Sequence, residues 1–478
     1  MLFNSMNFLG IFLPITLLLY YLPMLRNVQI YVLLLASLIF YAFNHLEFLI
    51  LLVISASING VISYCAQIKK TRKEKLLFVG FGVVLNLLIL SVFKYGKLLY
   101  TFFGSNDGIG TFILTLPLPI GISFYTFQGI GLLVDVWRND HNYFNEQKLS
   151  FKEHFLNTVF FISFFPHSIA GPIVKAYTFL PQIGTKKIKD INTIGILKML
   201  IVGFFLKTVI ADNIQNYTFW IAYPYFKEAG AVQLIAMMYG YSIQIFADFA
   251  GYSLIAIGIA ALFGYHLPSN FNFPYLSQTF QEFWTRWHMS LSAWLKEYLY
   301  FSLGGNKKGR IRTYINLFLV MLLGGLWHGA AWNYMAWGGV HGIMLAAERA
   351  LLRTERGIIV DKYIQAHSLL KFIRWGMIFS LVSWAWLFFK LPNFSWAMEY
   401  TTLIFTNMFV AGKKLGNWQP IIFCFIYSVP IAIYHLGAKY RVTDSCIWPV
   451  LEPIVYAFLL FCIIFNGGTS DAFIYFQF

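Results

Sequence analysis

The chain is a succession of continuous apolar runs separated by short polar stretches. The runs do not alternate with period two, as half-buried strands would, and many approach the roughly twenty residues a helix needs to cross a hydrocarbon core of about 30 Å. Residues 8–24, 28–43, 48–63 and 76–100 begin the series, and 121–137, 155–170, 194–210 and 232–263 continue it. Residues 314–341, 372–389, 421–436 and 447–465 complete it, for about eleven spans, give or take two. Only helices satisfy every backbone N–H and C=O in lipid without closing a barrel. The predicted fold class is therefore an all-α polytopic membrane bundle. It is read as one integral-membrane domain over 1–478 with its core at 110–350 and no separate soluble domain.

Local signals refine the pattern. Asn44-His45-Leu46-Glu47 separates two of the early spans, and a polar turn is expected at 104–110. The prolines and glycine of Leu116-Pro117-Leu118-Pro119-Ile120-Gly121 disfavour a regular helix and predict a broken or re-entrant start to the next run. That run carries Ser123, Tyr125, Thr126 and Gln128, a polar set that fits interhelical hydrogen bonding better than lipid contact. Ala211-Asp212-Asn213 is expected to close the 194–210 span, which Lys207 interrupts.

Composition agrees: 59% of residues are hydrophobic and 12% charged, against about 25% charged in soluble domains. The net charge of +15 does not indicate nucleic acid, because the basic residues sit in short clusters between apolar runs. Lys69, Lys70, Arg72, Lys73 and Lys75 form one cluster and Lys186, Lys187 and Lys189 another. Such clusters mark cytoplasmic loops and place the N-terminus outside. The four cysteines are scattered without CxxC spacing, which predicts neither a disulfide framework nor a zinc site. Residues 1–7 lack the basic region of a cleavable signal.

Ionisable groups are costly within a bilayer, so those that occur there are candidates for function. Asp248 is one, expected to face the bundle interior. Residues 281–342 hold the richest set. On a continuous helix Trp284, Trp287, His288, Leu291, Trp294 and Tyr298 would share one face, predicting an amphipathic interfacial or re-entrant helix. A flexible basic turn follows at 304–310, suited either to anionic lipid or to a phosphorylated donor. As a single helix, 314–341 would be about 42 Å long. Gly324-Gly325 and Gly338-Gly339 offer places to bend or to pack closely. His328, between tryptophan and glycine, is a candidate general base, since neutral imidazole can take a hydroxyl proton near neutral pH. At about 100° per residue, His341 would lie on a different face of one straight helix. No HExxH spacing, GxSxG elbow or Walker glycine loop is present, and no metal is predicted.

Several motifs occur together: PIGISFYTFQ from Pro119, Asp135-Val136-Trp137-Arg138, YSIQIFADFAGY from Tyr241, LPSNFNFPY from Leu267, FWTRWHMSLS from Phe283, LGGN from Leu303, GGLWHGAAW from Gly324 and a terminal IYFQF. With these the chain resembles the membrane-bound O-acyltransferase (MBOAT) family, in the bacterial branch serving alginate and other polysaccharides. The resemblance implies tilted helices around a catalytic tunnel, with His328 as the catalytic histidine and His288 as the second. It also points to Arg286, Trp287, Asn306, Trp327 and Asp248 as substrate- or donor-binding positions. It implies acetyl taken from a cytoplasmic donor, acetyl-CoA, with no bound cofactor. The acetyl passes outward to a periplasmic or extracellular partner acetyltransferase and a polysaccharide acceptor, from a multi-pass protein of the bacterial cytoplasmic (inner) membrane. Gly251-Tyr252-Ser253-Leu254 departs from the family's GYSD, Thr285-Arg286 from its double arginine and Glu297-Tyr298-Leu299-Tyr300 from its DYLY. These departures bear on substrate and donor identity. The alternatives are D-alanyl or other acyl transfer to teichoic acid or lipid on the same scaffold, and a secondary transporter, whose repeat-related broken helices are not visible.

Overall fold

The computed structural model describes residues 1–43, 46–103, 116–138, 149–468 and 473. The turn expected at 104–110, residues 44 and 45 of the expected Asn44–Glu47 break, and the terminal IYFQF motif lie outside them. Among the described residues every regular element is a helix. Nine are long and apolar enough to cross a membrane: Pro23–Ala42, Leu46–Gln67, Arg72–Gly96, Thr193–Ile221, Ala231–Leu262, Arg310–His328, Ser368–Lys390, Trp418–Lys439 and Trp448–Phe465.

Several expected spans differ in extent. The first is helical only over Asn7–Tyr21. Leu22 precedes Pro23 and takes the extended conformation, ψ 123°, that a following proline favours. The 155–170 run divides into Phe151–Ser163 and a short Phe165–Ser168 helix. The longer piece starts at a capping box, with Ser150 accepting from the Glu153 N–H and the Glu153 carboxylate from that of Ser150. At about 20 Å it is too short to cross. The stretch before Gly121 is non-helical, as its prolines require.

The chain forms two compact units. One comprises Met1–Leu200 and Ser253–Ser269, the other Ile201–Tyr252 and Asn270–Phe478. In the first unit, buried Asn59 and Asn86 exchange amide hydrogen bonds of 3.1 and 2.9 Å. Lys94 donates to Ser123 at 2.9 Å. Gln128 and Thr126 are also buried, so the polar positions of the Ile122–Arg138 helix pack inward.

The second unit holds every site residue predicted above. The Thr193–Ile221 span, which belongs to this unit from Ile201 onward, does not close at Asp212, because a π-helical stretch at Phe205–Ala211 carries it onward. Residues five apart meet in a π-turn. Lys207 therefore reaches Asp212 at 2.6 Å, and it pairs with Asp248 at 2.8 Å. Asp248 is buried, as expected.

The 314–341 run is two helices, Arg310–His328 and Trp332–Leu351, broken after His328. The break does not fall at the glycine pairs. Those glycines instead let the two helices touch: a Cβ on Gly338 would lie 2.3 Å from the Met321 carbonyl, and one on Gly325 2.2 Å from that of Tyr334. Gly329, the residue after His328, is extended and lies against the Tyr334 ring, where a Cβ would come within 2.1 Å. Close approach thus accounts for the glycine-rich pattern here.

Candidate active site

The amphipathic segment expected as one helix is three pieces: Phe280–Arg286, Met289–Trp294 and a π-helical turn at Leu295–Tyr300. The first break falls at His288, whose backbone is left-handed at φ 41°, ψ 54°. A histidine there is uncommon and must be held by its surroundings. Asn270 supplies much of the hold. Its carbonyl accepts from the Met289 N–H at 2.9 Å, and its side-chain oxygen accepts from Ser290 Oγ at 2.6 Å. The same oxygen faces His288 Nδ1 at 3.4 Å. Asn272 adds a backbone bond to the Arg286 carbonyl at 3.0 Å. An Asn270 oxygen beside Nδ1 favours the tautomer protonated there, which leaves Nε2 as the lone-pair nitrogen. Burial holds the His288 imidazole down at about 3, so the ring is neutral at physiological pH and acts through hydrogen bonding.

His328 is the last residue of its helix. That position suits a base, because the negative end of the helix dipole stabilises positive charge developing on the ring. The imidazole is buried, with its centre 6.3 Å from that of His288. Around it lie Trp327 at 4.9 Å, Trp337 at 5.2 Å and Phe389 at 5.3 Å. Buried Asn333 fixes Phe389 from behind, donating to the carbonyls of Phe388 and Leu391 at 3.1 Å each. Trp386 stacks on Trp337 at 5.2 Å and meets Trp287 at 5.0 Å. The result is an aromatic chamber, packed ring against ring, with two histidines in its wall.

His341 belongs to the same chamber. The break after His328 folds the second helix back, and Trp337 touches both His328 and His341, the latter at 5.0 Å. The angular separation expected on one straight helix therefore does not apply.

The structure thus brings together His288, His328, Trp327 and Trp287. The other predicted positions are engaged elsewhere. Arg286 pairs with Glu282 at 3.0 Å and donates to the Asn272 carbonyl at 3.1 Å. Asn306 is exposed in the basic turn. The Arg310–His328 helix places that turn about 27 Å from His328, at about 1.5 Å per residue. Asp248 pairs with Lys207, and it is its neighbour Phe249 whose ring meets His288, at 4.6 Å.

Residues not singled out from sequence also shape the site. Asn270 belongs to the LPSNFNFPY motif, in which nothing local marks it as a brace for His288. Glu348 accepts from the backbone N–H groups of Phe280 and Gln281 at 2.8 and 2.9 Å, anchoring the start of the helix that leads to His288. A glutamate near the end of an amphipathic helix reads as solvated surface, so no local pattern marked it.

The family model described as MBOAT, membrane-bound O-acyltransferase family, matches residues 35–391. The chain is 37% identical over 437 residues to a protein of Pseudomonas aeruginosa named "Probable alginate O-acetylase", covering 88% of this chain and 76% of that one. It is 34% identical over 425 residues to the peptidoglycan O-acetyltransferase of Helicobacter pylori, with coverages of 84% and 79%. A teichoic acid D-alanyltransferase of Bacillus subtilis is 31% identical over 274 residues, with coverages of 55% and 65%. Likeness on this scale, reaching across the helices that build the histidine chamber, decides the matter: the chain belongs to the membrane-bound O-acyltransferase family and is a multi-pass membrane O-acyltransferase.

Proposed function

We propose that this protein takes an acetyl group from acetyl-CoA on the cytoplasmic side and delivers it through the bacterial cytoplasmic membrane for O-acetylation of an exported or cell-wall polysaccharide. The observation that carries this reading is the buried pair His288 and His328, 6.3 Å apart within an aromatic chamber. Relatives named for acetylation of alginate and peptidoglycan support the choice of acetyl group and of acceptor class. A periplasmic or extracellular partner acetyltransferase completes the transfer to the polymer.

In this mechanism the His328 imidazole accepts the proton of an acceptor hydroxyl as its oxygen attacks the thioester carbonyl carbon. The C–O bond forms, the C–S bond breaks, and the departing thiolate takes the proton from His328. Neutral His288, held by Asn270, orients the reacting groups. The rings of Trp327, Trp337, Trp386 and Phe389 exclude water that would otherwise hydrolyse the thioester. A thiolate is a good leaving group, so the step needs no metal.

The test is ester-linked acetate on the surface polysaccharide, comparing wild type with His328→Ala at matched membrane abundance. Loss of acetate, by at least the hundredfold typical of a removed general base, is expected. Unchanged acetylation would remove His328 from the chemistry. Transfer that requires a carrier protein charged with D-alanine, and ignores acetyl-CoA, would move the protein to the activity for which the Bacillus relative is named.

A further inference from the structure

The Arg310–His328 and Trp332–Leu351 helices run antiparallel, with Met321 opposite Gly338 and Phe318 opposite Gly342. Continuing that register brings Arg310 level with Arg349 and Ala350. Beyond Gly342 the second helix presents Ala346, Ala347 and Ala350 to Tyr314, Ile315 and Phe318. Alanine side chains are too short to fill the gap, and a groove of about 430 Å³ is left between the helices. It extends about 10 Å along the axis from Ile343 to Ala350, at about 1.5 Å per residue. Ile311 and Ile343 beside it are 75% and 61% exposed, as side chains on a lipid-facing surface are.

Four arginines stand at one end of this groove. Arg310 and Arg312 lie in the first turn of one helix, Arg349 in the last turn of the other, and Arg353 just past it. None of the four is in an ion pair among the described residues. The first turn holds no acid and Gly309 gives it no side-chain cap, so the cations there oppose the helix dipole. Glu348 is engaged by the Phe280 and Gln281 N–H groups, and Glu355 opens the following helix. Like charges gathered in this way repel one another until an anion joins them.

The occupant must therefore be apolar over about 10 Å and anionic at one end. A second copy of this chain paired on the same face would set arginine against arginine. A soluble phosphate would satisfy the arginines and leave the groove bare. A phospholipid with a net negative headgroup fills both, and basic clusters mark the cytoplasmic side, where anionic lipids attract them.

We infer that this groove binds an anionic glycerophospholipid of the cytoplasmic leaflet, with an acyl chain against Ala346, Ala347 and Ala350 and the phosphate held by Arg310 and Arg349. The two helices that form it also carry His328 and His341, so the lipid braces the pair that presents them. The site is independent of which acyl group the protein transfers.

The experiment titrates the purified full-length protein with phosphatidylglycerol in neutral detergent and counts bound lipid by native mass spectrometry. Phosphatidylcholine with the same chains tests the charge. One phosphatidylglycerol should bind well ahead of any phosphatidylcholine and raise the unfolding temperature. Each arginine is expected to contribute about fivefold in affinity, so Arg310→Gln with Arg349→Gln should weaken binding about 25-fold. Ala347→Trp fills the groove and leaves every arginine in place; it should weaken phosphatidylglycerol at least tenfold. If that variant does not fold, Ala347→Met makes the same comparison with a smaller plug. Lys187→Gln with Lys189→Gln, in a basic loop of the other unit, should bind as wild type does. Wild-type affinity in the arginine pair, or in a folded groove-filling variant, would overturn the site and leave only diffuse attraction to anionic surfaces. Adenosine 3′,5′-bisphosphate that displaces the lipid and binds the groove-filled variant undiminished would assign the arginines to a soluble phosphorylated ligand and equally overturn it.

Discussion

The cluster of Lys207, Asp212 and Asp248 and the cluster of His288, His328 and His341 are buried in the same compact unit. In the first, charge meets charge: the lysine ammonium lies 2.6 and 2.8 Å from its two carboxylates. In the second the groups are imidazoles and indoles, packed ring to ring at 5.0 to 6.3 Å, and His341 keeps both nitrogens out of protein hydrogen bonds among the described residues. Full charges cannot be left uncompensated in a low-dielectric interior, so they are consumed by one another. Neutral polar groups carry a smaller penalty and can be kept for a substrate. The contrast separates a structural use of buried polarity from a chemical one.

Breaking the ionic cluster should have the larger effect on stability. Lys207→Met removes the cation that pairs with two buried carboxylates and should destabilise the fold by about 3–5 kcal/mol. This would be read as lost folded protein and a lower unfolding midpoint. Adding Asp212→Asn and Asp248→Asn should restore much of it. A single variant as stable as wild type would erase the distinction drawn here.

On the histidine side, Asn270→Ala removes the acceptor shared by Ser290 and His288. It should reduce stability by about 1–3 kcal/mol and lower kcat more than it raises KM, because the left-handed His288 loses its brace. A variant with wild-type kcat would show that His288 is held by packing alone. The smallest effect should come from Glu348→Gln, which keeps the shape but not the charge at the start of the Phe280–Arg286 helix. About 0.3–1 kcal/mol is expected, seen as a few-fold drop in kcat without loss of folded protein. A larger loss of folded protein than of kcat would recast Glu348 as a packing anchor.

How far the site could be read in advance differs by residue. His328 and His288 stand out because each is a polar residue in an apolar, tryptophan-rich run, and because their motifs resemble those of a known family. Asp248 could be placed inward on energetic grounds, but its partner could not be named: Lys207 and Asp248 are distant in sequence, and the π-turn that adds Asp212 has no pattern of its own. Periodicity puts His341 on another face only if the helix runs on through Gly329, and it ends at His328. Asn270 and Glu348 act through backbone groups of distant segments, and hydrophobic periodicity carries no record of such bonds.

The sequence by itself determined the all-helical membrane architecture and the acyltransferase family. Long apolar runs leave the backbone no alternative in lipid, and motif identity survives without coordinates. Tertiary structure alone decided which polar groups converge. Convergence depends on where helices break and how closely they approach, and at Gly329 and Gly338 those outcomes rest on gaps too small for a Cβ atom, set by the opposing chain.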